Sequence, residues 1–120
     1  MNLTERYVVL CKELASLGYQ WTPRPGDWIL DITDESIGML TTYIEKPELI
    51  RKVNVQIPYG DQIKELLAKR GCLENVQGGN VIWLDSKGNE IYRCTAEANK
   101  LNDDEHSLAA LVEDFRRHGP

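Results

Sequence analysis

The chain has 120 residues, of which 42% are hydrophobic and 28% are charged, and its net charge is −5. These values are typical of a globular protein and argue against intrinsic disorder. A chain of this length buries about two-thirds of the surface that its unfolded form exposes, which predicts a single domain over residues 1–120 without disulfides or metals. The scattered Lys and Arg residues make nucleic-acid binding unlikely, since phosphates require clustered positive charge.

Membrane and secretory signals are absent from the sequence pattern. No apolar run reaches the length of about 18 residues that a membrane span needs, and the N-terminus lacks the basic start and apolar middle of a signal peptide. The three cysteines, Cys11, Cys72 and Cys94, are widely spaced and form no C-x-x-C pair. We therefore expect reduced thiols, buried as small core residues, and a cytoplasmic location.

The first half of the chain predicts one helix followed by strands. Apolar residues recur at helical spacing over residues 3–17, with Asn2 and Glu5 resembling a capping box. Two prolines and a glycine then exclude a helix in the segment after Gly18. Strands are predicted over residues 28–33, 37–44 and 53–57, with Gly38 as a bulge. The stretch after Pro47 is either one helical turn or a continued strand edge.

The second half predicts two helices and a hairpin. A helix over residues 61–70 begins at Asp61, and a short strand over 73–76 ends in a Gly-Gly-Asn turn. Residues 81–84 and 90–94 form the clearest hairpin, and a last helix begins at Asp103 or Asp104. Because the strands come in hairpins, we predict an α+β domain with an antiparallel-rich sheet of about five strands and three helices packed mainly on one face.

The segment from Trp21 to Trp28 is the most distinctive part of the sequence. It places aromatic, guanidinium and carboxylate groups on a loop stiffened by prolines. Such a loop can form a pocket wall, with Trp21 as a stacking face, Arg24 for an anion and Asp27 as an acceptor. Alternatively, both tryptophans enter the core and Arg24 pairs with an acidic neighbour, which is favoured because aromatic residues fill cores more often.

The acidic and histidine-containing segments predict no metal site. Asp31, Asp34 and Glu35 near a hairpin tip match no known metal loop, and Lys87 stands where a calcium loop needs an oxygen ligand. The histidines, His106 and His118, lie far apart in the sequence, without the clustered ligands of a zinc site. No catalytic signature or phosphate-binding loop occurs, and no cofactor is expected.

Three features of the sequence carry a resemblance. They are the Gly26-Asp27-Trp28 run preceded by prolines, the Ile57-Pro58 step into an amphipathic helix, and the closing helix that contains Leu108 and Leu111 after Tyr92. Together they resemble small uncharacterised bacterial and phage-borne proteins. The resemblance implies an accessory protein of unknown function and supplies no catalytic residues.

Three functions follow as hypotheses. The first is a non-enzymatic interaction module that binds another protein, or itself, through a sheet face or the Trp21–Trp28 loop. The second is a small-molecule binder or enzyme whose pocket brings together Arg24, Asp27 and a tyrosine, for which we select Tyr43, with Trp21 and Trp28 beside them. The third, a nucleic-acid accessory protein, is disfavoured by the charge.

Overall fold

The computed structural model describes residues 3–41 and 46–120 as an α+β arrangement of five helices and six strands. The helices in this part of the chain are α1 (Glu5–Ser16), α2 (Pro47–Val53), α3 (Asp61–Lys69), α4 (Ala96–Leu101) and α5 (Asp103–His118). The strands are β1 (Trp28–Asp31), β2 (Ile37–Met39), β3 (Asn54–Gln56), β4 (Leu73–Gln77), β5 (Asn80–Leu84) and β6 (Glu90–Thr95). None of these helices has the length and apolar character needed to cross a membrane.

The strands form two antiparallel sheets, so the expectation of α+β class with antiparallel pairing is confirmed, and that of one sheet of five strands is wrong. The first sheet has the order β2-β1-β3 and the second has the order β4-β5-β6. The second is a meander closed by two tight turns, and both its ladders involve only its own strands. Period-two patterning identifies a strand but not its partner, which explains the error.

Helices α1 and α5 connect the two sheets, and the expectation of three helices packed mainly on one face of a single sheet is wrong. Helix α1 packs against β3 and against α5, and α5 packs in turn against β6. Residues Ser107–Val112 of α5 are buried in succession, as expected of a helix that has neighbours on several sides. The core joins α1, α3 and α5 to both sheets through Tyr7, Leu30, Ile63, Trp83 and Phe115, among others.

Helix α4 was not predicted, and α2 was only one of two alternatives for the stretch after Pro47. Neither contains a buried residue, and with 7 and 6 residues both are too short for a helical repeat to stand out in the sequence. Helix α2 begins with Pro47, where a missing N–H costs nothing, and α4 begins after Thr95, whose side chain accepts from the N–H of Ala98. Thr4 caps α1 in the same way; Asn2 lies outside the described residues.

The other element boundaries shift by a few residues. Strand β1 ends at Asp31, and β2 ends at Met39, although strands to residues 33 and 44 were expected. Gly38 pairs regularly with Ile29 and forms no bulge. Asn102, and not Asp103 or Asp104, caps α5, because its side chain accepts from the N–H of Glu105.

Candidate functional site

The loop over residues 19–27 is held in one shape by hydrogen bonds at its end. The N–H of Asp27 donates to the carbonyl of Arg24, and the N–H of Gly26 donates to the carbonyl of Leu40 after β2. Gly26 has a φ of 95°, a left-handed conformation that a side chain disfavours. Together with the two prolines, these contacts give the loop a fixed conformation before any ligand binds.

Asp27 joins this loop to α3. Its carboxylate is buried, accepting from the backbone N–H of Arg24 through Oδ2 at 2.9 Å and from Nε2 of Gln62 through Oδ1 at 3.1 Å. Hydrogen bonds to a carboxylate are stronger than neutral ones, so the loop is fastened firmly to the helix. Asp27 was expected to accept from a ligand, but in the structure it positions the two walls that surround the cleft.

Tyr19 and Gln56 form the second polar contact of the region. The Tyr19 hydroxyl donates to Oε1 of Gln56 at 2.6 Å, and the Tyr19 and Phe115 rings form a T-shaped pair with their centroids 6.0 Å apart. Burial, and then the Asp27 carboxylate, raise the pKa of Tyr19 to about 12, although the Arg24 charge opposes this shift. The phenol is therefore neutral at physiological pH and acts as a hydrogen-bonding group.

A cleft of about 380 Å³ lies between the loop and α3. We call it the Trp21 cleft; the loop supplies one wall, Gln56 of β3 lies between the walls, and α3 supplies the other. Trp21 is only 5% exposed and helps to shape the cleft. The lining residues are Tyr19, Gln20, Trp21, Thr22, Arg24, Gln56, Gln62, Glu65, Leu66 and Lys69.

The charges of the Trp21 cleft are mostly positive and unpaired. Arg24 on the loop and Lys69 on α3 form no ion pair with any residue in the described ranges. Glu65 lies four positions before Lys69, a favourable helical spacing, yet the same ranges show no ion pair between them. The cleft therefore presents two cations and one carboxylate to solvent.

The predicted site residues are only partly brought together. Trp21 and Arg24 line the cleft, and Arg24 forms no ion pair with an acidic residue within residues 3–41 and 46–120. Trp21 is also buried, as the alternative interpretation expects, so the loop as a pocket wall stays a prediction. Trp28 is half-buried and packs against the main core, which agrees with that alternative. Tyr43 lies outside the described residues. The tyrosine that the structure places at the cleft is Tyr19.

Sequence reasoning missed the residues that α3 contributes. Gln62, Glu65, Leu66 and Lys69 recur at three- and four-residue steps, so they share one face of the helix. That face is mainly polar. The sequence identified the helix by the apolar residues Ile63, Leu66 and Leu67, and the spacing of Glu65 and Lys69 was interpreted only as helix support. A polar helical face beside an ordered loop is the signal that indicates a cleft here.

A second polar grouping lies near the C-terminus, and we call Arg70, Asp85, Asp114 and His118 the C-terminal cluster. Arg70 donates through Nε to Asp114 at 2.5 Å and through Nη2 to the carbonyl of Gly119. His118 contacts the Asp85 carboxylate at 2.9 Å. Arg70 also lies 3.9 Å from the centre of the Phe115 ring, a cation–π contact. Each charge in the cluster thus has an internal partner.

The Asp85 carboxylate organises the turn between β5 and β6. It accepts from the backbone N–H groups of Lys87 and Asn89, each at 2.9 Å. The N–H of Asn89, then His118, holds the pKa of Asp85 at about 2, below its ordinary value. The segment predicted as a hairpin turn is therefore one, and its aspartate also fixes the C-terminal helix.

No activated thiol or metal cluster accompanies either grouping in the described part of the chain. Burial raises the pKa of Cys11 to about 12, and burial followed by the Asp114 charge raises that of Cys72 to about 12. Residues 3–41 and 46–120 contain no group of three His, Cys, Asp or Glu placed to hold a metal ion. The carboxylates of Asp31 and Asp34 accept hydrogen bonds within their own turn.

Comparison with models of known protein families, with curated proteins and with solved structures finds no match. The resemblance to small bacterial and phage-borne proteins therefore stays a prediction. Function has to be inferred from the geometry and charge of the cleft.

Proposed function

We propose that this protein is a non-enzymatic binding module whose Trp21 cleft accepts an acidic segment of a partner protein. The observation that carries the proposal is that Arg24 and Lys69 form no ion pair within the described residues, although the chain has 19 acidic and 14 basic residues. Seven other cations pair with carboxylates. The remaining described cations without an ion pair do not line the cleft, so Arg24 and Lys69 are the two that converge on one concave site; those remaining cations are Lys46, Arg51, Lys52, Lys87 and Lys100. An anionic ligand supplies the missing partners.

The shape of the cleft supports a protein segment as the ligand. The cleft lies open between a loop and a helix, so a side chain can enter while the backbone that carries it stays outside. The hydrogen bonds from Gln62 to Asp27 and from Tyr19 to Gln56 fix both walls in advance, which lowers the entropic cost of binding. Arg24 and Lys69 then attract and orient a carboxylate from the partner.

A small anion is a second candidate because of Gln56. This side chain is only 7% exposed and lines the cleft, and the Tyr19 hydroxyl occupies one polar atom of its amide. The other polar atom, Nε2, makes no hydrogen bond to any residue within 3–41 and 46–120 and is open to the cleft, where it can donate to a ligand. A ligand small enough to enter fully can satisfy it, and the cleft volume of about 380 Å³ is within the range of about 300–1,000 Å³ of small-molecule sites.

The titration behaviour of the region supports binding more than catalysis. A phenol whose pKa is raised to about 12 is a poor general base at neutral pH, and the buried thiols of Cys11 and Cys72 are similarly hard to ionise. Under this proposal the module acts in the cytoplasm, where its three widely spaced cysteines stay reduced. A bacterial or phage-borne source agrees with the resemblance given by the sequence.

The experiment is a fluorescence-anisotropy titration with a labelled hexaglutamate peptide, using labelled hexalysine as the charge control. We expect hexaglutamate to bind, hexalysine not to bind, and the combined Arg24→Ala and Lys69→Ala changes to weaken binding about tenfold. Lys100→Ala, which removes an exposed cation on α4, serves as the matched control and leaves the affinity unchanged. Equal affinity in all three proteins would refute the assignment of the cleft, and competition by free citrate alone would favour the small anion.

A further inference from the structure

Strand β4 forms the outer edge of the second sheet and has no neighbour on its other side in the described structure. All five of its residues are exposed, and Leu73 and Val76 are 66% and 65% exposed. It pairs with β5 in a regular register from Leu73 opposite Leu84 to Gln77 opposite Asn80. The strand thus has a regular register and an exposed edge to which another strand can pair.

The register shows which backbone groups of β4 face outward. Gly78 and Gly79 have φ values of 54° and 78°, as in a two-residue hairpin turn. The residues that flank such a turn, here Gln77 and Asn80, form a hydrogen-bonded pair. Antiparallel pairs alternate between bonded and non-bonded, so residues 73, 75 and 77 bond to β5. The N–H and C=O groups of Glu74 and Val76 therefore point to the open edge.

Two bonds on the far side of β5 support this alternation. The N–H of Asp85 donates to the carbonyl of Asn89, and the N–H of Ala96 donates to the carbonyl of Gly79. The odd-numbered residues of β5 thus bond toward β6, which leaves the even-numbered ones for β4. No residue within 3–41 and 46–120 bonds to the backbone of Glu74 or Val76 outside this ladder.

We infer that β4 pairs with β4 of a second copy of this chain, antiparallel, with Asn75 opposite Asn75 on the two-fold axis. This register sets Glu74 of each copy opposite Val76 of the other, and the outward N–H and C=O groups of both residues then bond reciprocally across the axis. The β4-β5-β6 sheets of the two copies thereby join into one sheet of six strands. The edge is self-complementary because its two outward-facing residues are spaced symmetrically about Asn75.

The opposite edge of the same sheet is protected and β4 is not. Strand β6 contains an irregularity in its register with β5 between Trp83 and Leu84, and it carries the ion pair of Arg93 with Glu90. Such irregularities and edge charges keep strands from pairing with other chains. Strand β4 has a regular register, no proline and no basic residue, and its one charge, Glu74, faces Val76 of the other copy.

The test measures self-association of the full chain by sedimentation velocity over a range of protein concentrations, with amide hydrogen exchange at the two extremes. We expect the average mass to rise toward twice that of the monomer. We also expect exchange at the amides of Glu74 and Val76 to slow at high concentration, while that of Asn75, already bonded within the sheet, does not change.

Val76→Pro is the decisive variant, because it removes an outward N–H and keeps an apolar side chain, without touching the ladder to β5. We expect it to stay monomeric, while Val76→Thr, which keeps the N–H, associates as the wild type does. If Val76→Pro fails to fold, Glu74→Pro removes the other outward N–H. A wild-type chain that is monomeric at every concentration, or a Val76→Pro chain that associates normally, overturns the inference; association through another surface leaves the amides of Glu74 and Val76 unslowed and also overturns it.

Discussion

Lys69 and Arg70 are neighbours in the chain, yet they belong to two regions that use charge differently. Lys69 lines the Trp21 cleft and forms no ion pair in the described structure. Arg70 lies in the C-terminal cluster, where it bonds to Asp114 and to the carbonyl of Gly119 and covers the Phe115 ring. Two adjacent residues thus differ in their role: Lys69 is an unpaired cation at the cleft, and Arg70 is a cation bound within the folded structure.

The comparison teaches where to look for a ligand in this molecule. A charge satisfied by internal partners stabilises the fold and has little left to offer a ligand. An unpaired charge beside a fixed cleft contributes little to stability and is available for binding. Asp27 follows the first pattern although it lies at the cleft, since its carboxylate holds the walls together.

The largest difference is expected between alanine variants of these two neighbours. Arg70→Ala leaves the buried Asp114 carboxylate without its main partner, which costs about 3 kcal/mol of unfolding free energy. Lys69→Ala changes it by less than about 0.5 kcal/mol. Urea unfolding of both variants measures the difference, and equal losses would show that the two regions do not differ in the way described.

A smaller loss is expected for Asp27→Ala. The change leaves the N–H of Arg24 and the amide of Gln62 without their acceptor, which costs about 2 kcal/mol. Because the loop is then no longer fastened to α3, hexaglutamate binding also weakens, although no ligand contact has been removed. Lys100→Ala, which changes an exposed residue of α4 outside the cleft, is the control and leaves both quantities near the wild-type values. An Asp27→Ala variant with unchanged stability and affinity would show that Asp27 does not hold the loop to α3.

The acid side of the stability profile should depend on Asp85. Its pKa is about 2 in the folded state, below the value of about 4 in an unfolded chain, so its contribution is present above pH 4 and is lost as the pH falls toward 2. Asp85→Asn removes this dependence, and its unfolding free energy then falls less steeply over that interval. Urea unfolding at several pH values measures the slopes, and parallel profiles would rule out this contribution.

The smallest effect is expected from Glu65→Gln, which removes the one carboxylate that lines the cleft. Weaker repulsion of an acidic ligand raises the hexaglutamate affinity about twofold, and added salt reduces the gain. The matched control is Glu97→Gln on the exposed face of α4. A lower affinity for the Glu65 variant would indicate that this carboxylate contacts the ligand favourably.

Sequence patterns were a good guide to single elements and a poor one to their partners. The stripe of Ile63 and Leu67 identifies α3, but no local pattern shows that the strands divide into two sheets. The same limit applies to the site. The composition of the loop indicated Trp21 and Arg24, whereas Gln56 and Lys69 come from distant segments that only the tertiary fold brings to the cleft.

Sequence patterns also gave little indication of the two short helices that contain no buried residue, α2 and α4. Helix α2 contributes Arg51, whose guanidinium donates to the carbonyl of Trp21 at 3.0 Å, and so supports the loop from outside. Because α2 has only 7 residues, its apolar residues Leu49, Ile50 and Val53 do not distinguish a helical turn from a strand edge in the sequence.

We propose the Trp21 cleft, and not the C-terminal cluster, as the ligand-binding surface of the protein. The most direct test is a nitrogen–proton correlation NMR titration of the wild-type chain with hexaglutamate. We expect the largest shifts at the amides of Thr22 and Arg24 on the loop and of Glu65 and Lys69 on α3, with those of Asp85 and Asp114 unchanged. Shifts centred on Asp85 and Asp114, or an unaltered spectrum at saturating peptide, would contradict the account.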